Sequence, residues 1–334
     1  MNLDKAKENA EIVVVDVESR IDQFLSKKLN ISRNQITNFI RDKNILVDKK
    51  IVDKPSFTLK IGQIVEVNKL NDEDSEFNDF TINFEVEIVY EDDDVLVINK
   101  PPNLIVHSAP SVKEATLVDY LKFKDYTLSS INGEIRAGIV HRIDKDTSGI
   151  MVVAKNDEAH IRLSNQLKER SMTRLYLAII DLPLKENLII NRPIGRNPKN
   201  RLKKAIIENG RISKSAFLNL YSDENINIIS AKLFSGRTHQ IRVHLSSINR
   251  HILGDNLYGF KSKKDKIKRT MLHAYILQFR HPKTGENMKF TANLWDDFSK
   301  ILDKSKNKEK IYEKILPDNL ISGFNDLDSW LWLT

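Results

Sequence analysis

The chain has 334 residues, enough for two domains with a substantial core, and is 40% hydrophobic and 30% charged with a formal net charge of +7. It contains no cysteine, which excludes disulfides, thiolate nucleophiles and cysteine-ligated zinc. No apolar run is long enough to span a membrane, the charged stretch Met1 to Glu11 lacks the apolar core of a secretory signal, and the excess positive charge favours a polyanionic partner in the cytoplasm.

Residues 1 to 15 read as a flexible N-terminus. From Val17 the pattern turns helical, with Ile21, Phe24, Leu25 and Leu29 on one face. Ser32-Arg33-Asn34-Gln35 has the form of a capping box and announces a second helix that carries Ile36, Phe39 and Ile40 on one side. Asn44 to Lys50 reads as a short strand and turn, and Gln63 to Val67 as a second extended piece after Gly62. These elements form a small α+β unit over residues 16–70. Asn71 to Asp79 is acidic and nearly devoid of apolar residues, so residues 71–80 read as an interdomain linker.

The second domain is placed at residues 81–302. Glu87 to Tyr90 and Val95 to Pro101 predict a β-hairpin, Thr116 to Phe123 a short helix, and Glu158 to Arg170 a helix with a basic outer face. Strands are expected at Thr173–Ile180, Ile226–Leu233, Met271–Phe279 and Met288–Ala292, with a closing helix from Leu294 to Leu302. The basic runs Arg196 to Lys204 and Lys261 to Arg269 fall in expected loops. Residues 303–334 are a C-terminal extension, lysine-rich and ending in Trp330-Leu331-Trp332-Leu333, with the tryptophans expected to dock on the domain.

Between the apolar segments Gly138 to Val140 and Ile150 to Ala154, both read as buried strands, lies His141-Arg142-Ile143-Asp144-Lys145-Asp146-Thr147-Ser148-Gly149. Spacing alone fits a solvated turn as well as a site at a sheet end. The segment, however, resembles the central motif of the ribosomal large-subunit pseudouridine synthases of the RluA/RluD family, with Ile143 in place of a leucine. Thr173-Arg174-Leu175-Tyr176-Leu177-Ala178 and Ser235-Gly236-Arg237-Thr238-His239-Gln240-Ile241-Arg242-Val243-His244-Leu245 match further motifs of that family in order. Asn99-Lys100-Pro101, Gly254 to Gly259 and Leu272-His273-Ala274 extend the likeness over most of residues 16 to 300. The first unit resembles the S4 RNA-binding module found in the same family.

The resemblance implies an α+β catalytic domain with a mixed, largely antiparallel sheet and flanking helices, joined to a small α+β S4 domain. It implies an RNA pseudouridine synthase, closest to the D-type branch, that isomerises uridines of large-subunit (23S) ribosomal RNA, free or in a pre-ribosomal particle. No cofactor, metal or membrane is expected, and the chain is expected to be a monomer. Asp144 takes the role of catalytic carboxylate, acting by attack on C1′, addition to the base or removal of the C2′ proton. Tyr176 is the active-site tyrosine and Arg242 the ion-pair partner of Asp144. Arg142, Arg237, His239, Gln240, Ile241 and Lys100 are candidate substrate contacts, and Arg20, Arg33, Arg41, Lys49 and Lys50 of the S4 unit are candidate phosphate contacts. Two other readings stand beside this one. A non-catalytic S4-type ribosome-assembly factor needs no aspartate at position 144, and a metal-dependent nuclease built on Asp144 and Asp146 would lose activity to a chelator.

Overall fold

The computed structural model describes residues 10–29, 33–41, 43–68, 81–109, 112–259 and 267–334. It divides into two units, Met1–Phe80 and Thr81–Thr334. In the first, the β-branched run Ile12 to Val15 favours extended backbone. Ala10–Val14 is accordingly a strand, β1, and not part of a flexible N-terminus. β2 (Ser19–Arg20) precedes α1 (Ile21–Lys28), so that helix starts at Ile21 and not at Val17. Then follow α2 (Arg33–Arg41), β3 (Ile45–Val47), β4 (Lys50–Ile51), β5 (Thr58–Leu59) and β6 (Ile64–Asn68). The strands β1-β6-β3-β4 form one sheet in that order, with Val13 opposite Val65, and β2 pairs with β5. Ile21, Phe24 and Leu25 of α1 and Ile36 and Ile40 of α2 bury against Val47, Val65 and Val67. Residues 1–9, Ser32 of the expected capping box and the acidic linker lie outside the described residues.

The second unit opens with the hairpin β7 (Glu87–Glu91) and β8 (Val95–Lys100), then α3 (Leu117–Phe123), whose first turn is closed by reciprocal bonds between Thr116 and Asp119. β9 (Ser148–Ala154) is buried along its whole length, the pattern of a central strand. α4 (Asp157–Glu169) is capped by Asn156, which accepts from the Ala159 N–H, and ends at Arg170 in the left-handed conformation. Next come β10 (Thr173–Ile180), β11 (Leu188–Asn191), β12 (Ile194–Arg196), β13 (Lys204–Ile206), β14 (Lys214–Ser222) and β15 (Asn227–Leu233). The chain finishes with α5 (Gln240–Ser246), β16 (Leu272–Arg280), β17 (Asn287–Thr291), α6 (Asp296–Leu302), α7 (Lys308–Lys314), α8 (Pro317–Ser322) and β18 (Leu331–Leu333).

Ten of these strands make one mixed sheet in the order β18-β11-β14-β15-β10-β16-β9-β8-β7, with β17 paired to β16. Its pairs are antiparallel except β9 with β16 and β11 with β18. One reading is corrected here. Gly138 to Val140 is not a strand: Gly138 takes φ +70° and turns the chain, leaving a single bridge from Ile139 to Val153. The C-terminal extension docks on the domain: β18 completes the sheet edge, and Ile311, Ile315, Leu320, Phe324 and Trp330 are buried in the domain core. Among the described residues, no helix is long and apolar enough to cross a membrane.

The core encloses two neutral histidines. His244 sits between Ser215 Oγ (3.0 Å) and the Arg192 carbonyl (3.1 Å), and His273 accepts from Ser148 Oγ at 2.9 Å. Burial pushes His244 down to about 4 and His273 down to about 3. Folded-state values below the unfolded one mean that the unfolded chain binds more protons between about pH 6.5 and these values, so stability is lost as pH falls through that window. At pH 5 each histidine should lower stability by about 2 kcal/mol relative to pH 7. Urea midpoints measured at both pH values should show the drop. Because His107 and His141 are also pushed down, to about 4 and about 3, His244→Gln should remove only its own share of it; a variant with the full wild-type pH dependence would contradict this account.

Candidate active site

Three chain segments converge on one cleft of about 570 Å³: the charged loop before β9, the first residues of β10 with the end of β15, and the turn that leads into α5. Among the described residues, Asp144 is the one acidic side chain in its lining. Arg242, in the first turn of α5, donates from Nη1 to Asp144 Oδ2 at 3.0 Å. The other edge of the same guanidinium is taken by Asp255, with Nε to Oδ2 at 2.7 Å and Nη2 to Oδ1 at 2.8 Å. Asp255 also accepts from the backbone N–H groups of Leu257 and Tyr258, both at 3.0 Å.

Burial alone would lower the Arg242 pKa, but the bonds and charges of Asp255 and Asp144 override it and hold the guanidinium firmly protonated. Burial would likewise raise Asp255, yet the Arg242 fork and the two amides keep its carboxyl below the usual range. Arg242 therefore stays aimed at Asp144 from a rigid base: its guanidinium carbon lies 5.0 Å from the centre of the Tyr258 ring.

The Asp144 loop is pinned from below by cations on its carbonyls. Lys100 is fully buried, and its Nζ donates to the carbonyls of Pro101 (2.7 Å), Leu104 (2.8 Å) and Lys145 (3.1 Å). It does not line the cleft, so the expected substrate contact is corrected to a loop anchor; its three N–H bonds are all used internally. Arg269, expected in a phosphate-gripping basic run, is also buried: it pairs with Asp297 and donates to the Asp146 carbonyl at 3.3 Å. Lys261 to Lys266 of that run lie outside the described residues. Gly149, at φ +118°, lets β9 press against β16, for a Cβ there would fall on the Ala274 carbonyl oxygen.

Comparison with known proteins follows the same geometry. The sequence pattern described as RNA pseudouridylate synthase matches residues 94–247, and that of the S4 domain residues 19–65. An uncharacterised RNA pseudouridine synthase of Helicobacter pylori is 44% identical over 315 residues, covering 91% of this chain and 95% of that protein. The chain belongs to the RNA pseudouridine synthases. The ribosomal large subunit pseudouridine synthase D of Pseudomonas aeruginosa is 36% identical over 84% of this chain and 89% of its own length. Among solved structures, human RNA pseudouridylate synthase domain containing 1 aligns with a TM-score of 0.52 and 28% identity, covering 65% of this chain and 87% of that one.

The other expected site residues of the synthase fall into three groups. Tyr176 and Ile241 are buried and line the cleft, and burial raises the Tyr176 pKa so that its hydroxyl stays a donor. Arg142 and Arg237 stand in the lining too, Arg142 exposed and 3.4 Å from His107 Nε2, Arg237 donating from Nε to the Ile212 carbonyl at 3.3 Å. His239 holds φ +60° at the start of α5, with Nε2 3.9 Å from Asp144 Oδ2 and Nδ1 2.9 Å from Tyr258 Oη. Because the Lys204 N–H already donates to that hydroxyl, the hydroxyl proton is available to Nδ1, and burial keeps the ring neutral.

Gln240 also stands in the cleft lining, and its amide braces the turn before α5. Its Oε1 accepts from Ser235 Oγ and the Arg237 N–H, and its Nε2 donates to the Lys214 carbonyl and Ser215 Oγ, which exhausts the amide. In the S4 unit, Arg33, Arg41, Lys49 and Lys50 are exposed. Arg20 is not available in the same way, because its fork is closed on Asp22 with two bonds of 3.0 Å. Sequence reading assigned no role to Asp255, Tyr258 or Arg174, although all three lie inside quoted motifs; an acid and an aromatic in the short run Asp255 to Tyr258 were the available signal.

Proposed function

We propose that the synthase isomerises specific uridines of large-subunit ribosomal RNA, with Asp144 as the catalytic carboxylate, Arg242 as its fixed counter-ion and Tyr176 as the wall and proton donor beside the base. The observation that carries this reading is the Asp144–Arg242–Asp255 chain in the cleft: a carboxylate in the lining, held anionic-side to a guanidinium that a second, buried carboxylate immobilises. A two-metal nuclease is disfavoured, because Asp144 is paired with Arg242 and, among the described residues, no second acid lines the cleft.

The reaction breaks the N1–C1′ bond, turns the freed uracil and rejoins it to C1′ through C5, whose hydrogen is released as a proton. A uracil stacked in RNA reaches Asp144 only after it is extruded, which costs a few kcal/mol and is easiest in loops. In this reading Arg142 and Arg237 of the catalytic unit, and separately Arg33, Lys49 and Lys50 of the S4 unit, contact phosphates, which position the RNA without specifying its sequence. The ribosomal target rests on the relatives named for the large subunit.

Tritium release from large-subunit RNA labelled at uridine C5, with EDTA present, tests the reading. Release by the wild type, from free RNA or from pre-ribosomal particles, is the expected result. RNA binding without release from either substrate would leave the non-catalytic assembly factor in its place.

A further inference from the structure

Arg174 lies on β10 two residues before Tyr176, so the two side chains share one face of the strand and both line the cleft. The residue is 7% exposed, and its Nε is buried with no hydrogen-bond partner. Among the described residues its guanidinium has no carboxylate partner, whereas Arg242 in the same cleft has two. The same cleft lining includes the apolar side chains Leu233 and Leu272. Gly236 keeps the guanidinium accessible: a Cβ at that position would stand 3.0 Å from Arg174 Nη1. An unpaired buried charge costs the fold several kcal/mol. Such a group in a cleft wall is completed by something that brings it negative charge.

We propose that Arg174 is a further catalytic residue, which binds the carbonyl edge of the target uracil and carries the negative charge the base acquires when it separates from C1′. This rests on the isomerase reading above. When the N1–C1′ bond breaks, its electron pair stays with the base and spreads over N1, O2 and O4. The C5–C1′ bond then forms, the C5 proton leaves to solvent and N1 takes up a proton, so the overall change conserves atoms and charge. Negative charge reaches the uracil oxygens whether Asp144 attacks the sugar, adds to the base or takes the C2′ proton. Arg174 keeps its own proton throughout and acts as a fixed charge, stronger when buried than in water. A backbone phosphate fits less well there, because Arg142 already offers an exposed guanidinium to solvent-facing groups while Arg174 is buried.

The test uses full-length Arg174→Met and Arg174→Lys with target RNA carrying either uridine or 5-fluorouridine, whose base is the better leaving anion. Because a C5 fluorine cannot leave as a proton does, the readout common to both RNAs is single-turnover loss of the starting nucleoside, measured by nuclease digestion; RNA affinity is read by filter binding and folding by thermal melting. Arg174→Met should slow uridine conversion by about 10²–10³-fold, the loss typical of one donor removed from a developing oxyanion. Affinity should stay within about threefold, as expected when no phosphate contact is lost. Melting should hold or rise, because an unpaired buried charge is gone. Arg174→Lys should recover part of the rate, and the penalty of Arg174→Met should shrink at least about tenfold on 5-fluorouridine RNA, where less charge needs stabilising. An equal penalty on both RNAs would overturn the proposal in favour of a positioning role. Weakened affinity with an intact saturated rate would overturn it in favour of a phosphate anchor, and an unchanged rate would leave Arg174 no part in the chemistry. In the last case an active wild type shows that only this inference fails; a wild type inactive on every RNA removes the isomerase reading and this one together.

Discussion

Asp144→Asn should bind RNA as tightly as the wild type and convert uridine at least about 10⁴-fold more slowly, the scale of loss when a covalent or proton-transferring group is removed. The substitution keeps the shape of the side chain but removes the one negative charge that the described residues bring to the cleft lining. An amide cannot attack C1′, add to the base or accept the C2′ proton, so every path open to Asp144 closes together. The surrounding frame should survive, because Arg242 retains its two bonds to Asp255 and the loop retains the Lys100 and Arg269 anchors on its carbonyls. Single-turnover tritium release alongside filter binding separates the two effects. Conversion within about tenfold of wild type, once mass spectrometry has excluded deamidation back to aspartate, would remove Asp144 from the chemistry.

The sequence brought the cleft's polar residues into view because they sit in three compact motifs, and the fold class followed from the same resemblance. Local periodicity also located the β7–β8 hairpin, α4 and β10 to within a few residues. What it did not reveal depends on tertiary approach. Lys100 and Arg269 look like solvent-facing cations in a linear reading, yet each is buried and donates to one backbone carbonyl of the Asp144 loop, with its other donors spent elsewhere inside the domain. Gln240 stands in the cleft lining, and its amide is consumed in bracing the turn before α5. The C-terminal segment shows only short apolar spacings, and its meaning emerges when β18 pairs in parallel with β11, more than a hundred residues earlier. Gly138 breaks an apolar run that otherwise reads as a strand, because its positive φ redirects the chain before the loop.

Asp255 is the residue whose importance is least visible in the sequence and most visible in the structure, and Asp255→Ala should cost about 3–5 kcal/mol of stability, the usual effect of removing one partner from a buried ion pair. Its carboxylate accepts four bonds, two from Arg242 and two from the backbone N–H groups of Leu257 and Tyr258. Truncation leaves those amides unsatisfied and gives Arg242 a single counter-ion. The guanidinium is then free to rotate its whole fork onto Asp144, where a second bond would draw the carboxylate away from the sugar, so the rate should fall by about 10²-fold in addition to the loss of stability. Asp255→Asn separates the two consequences. Its remaining oxygen can still accept one guanidinium bond, so urea titration should show a smaller destabilisation, while the reduced hold on Arg242 should still slow turnover of the folded enzyme. Equal rates for wild type and folded Asp255→Asn would mean that Arg242 is oriented by Asp144 and the Tyr258 ring without help from behind, and would confine Asp255 to stability. A rate loss in the folded variant would place the orientation of Asp144, and not merely its charge, among the requirements of catalysis.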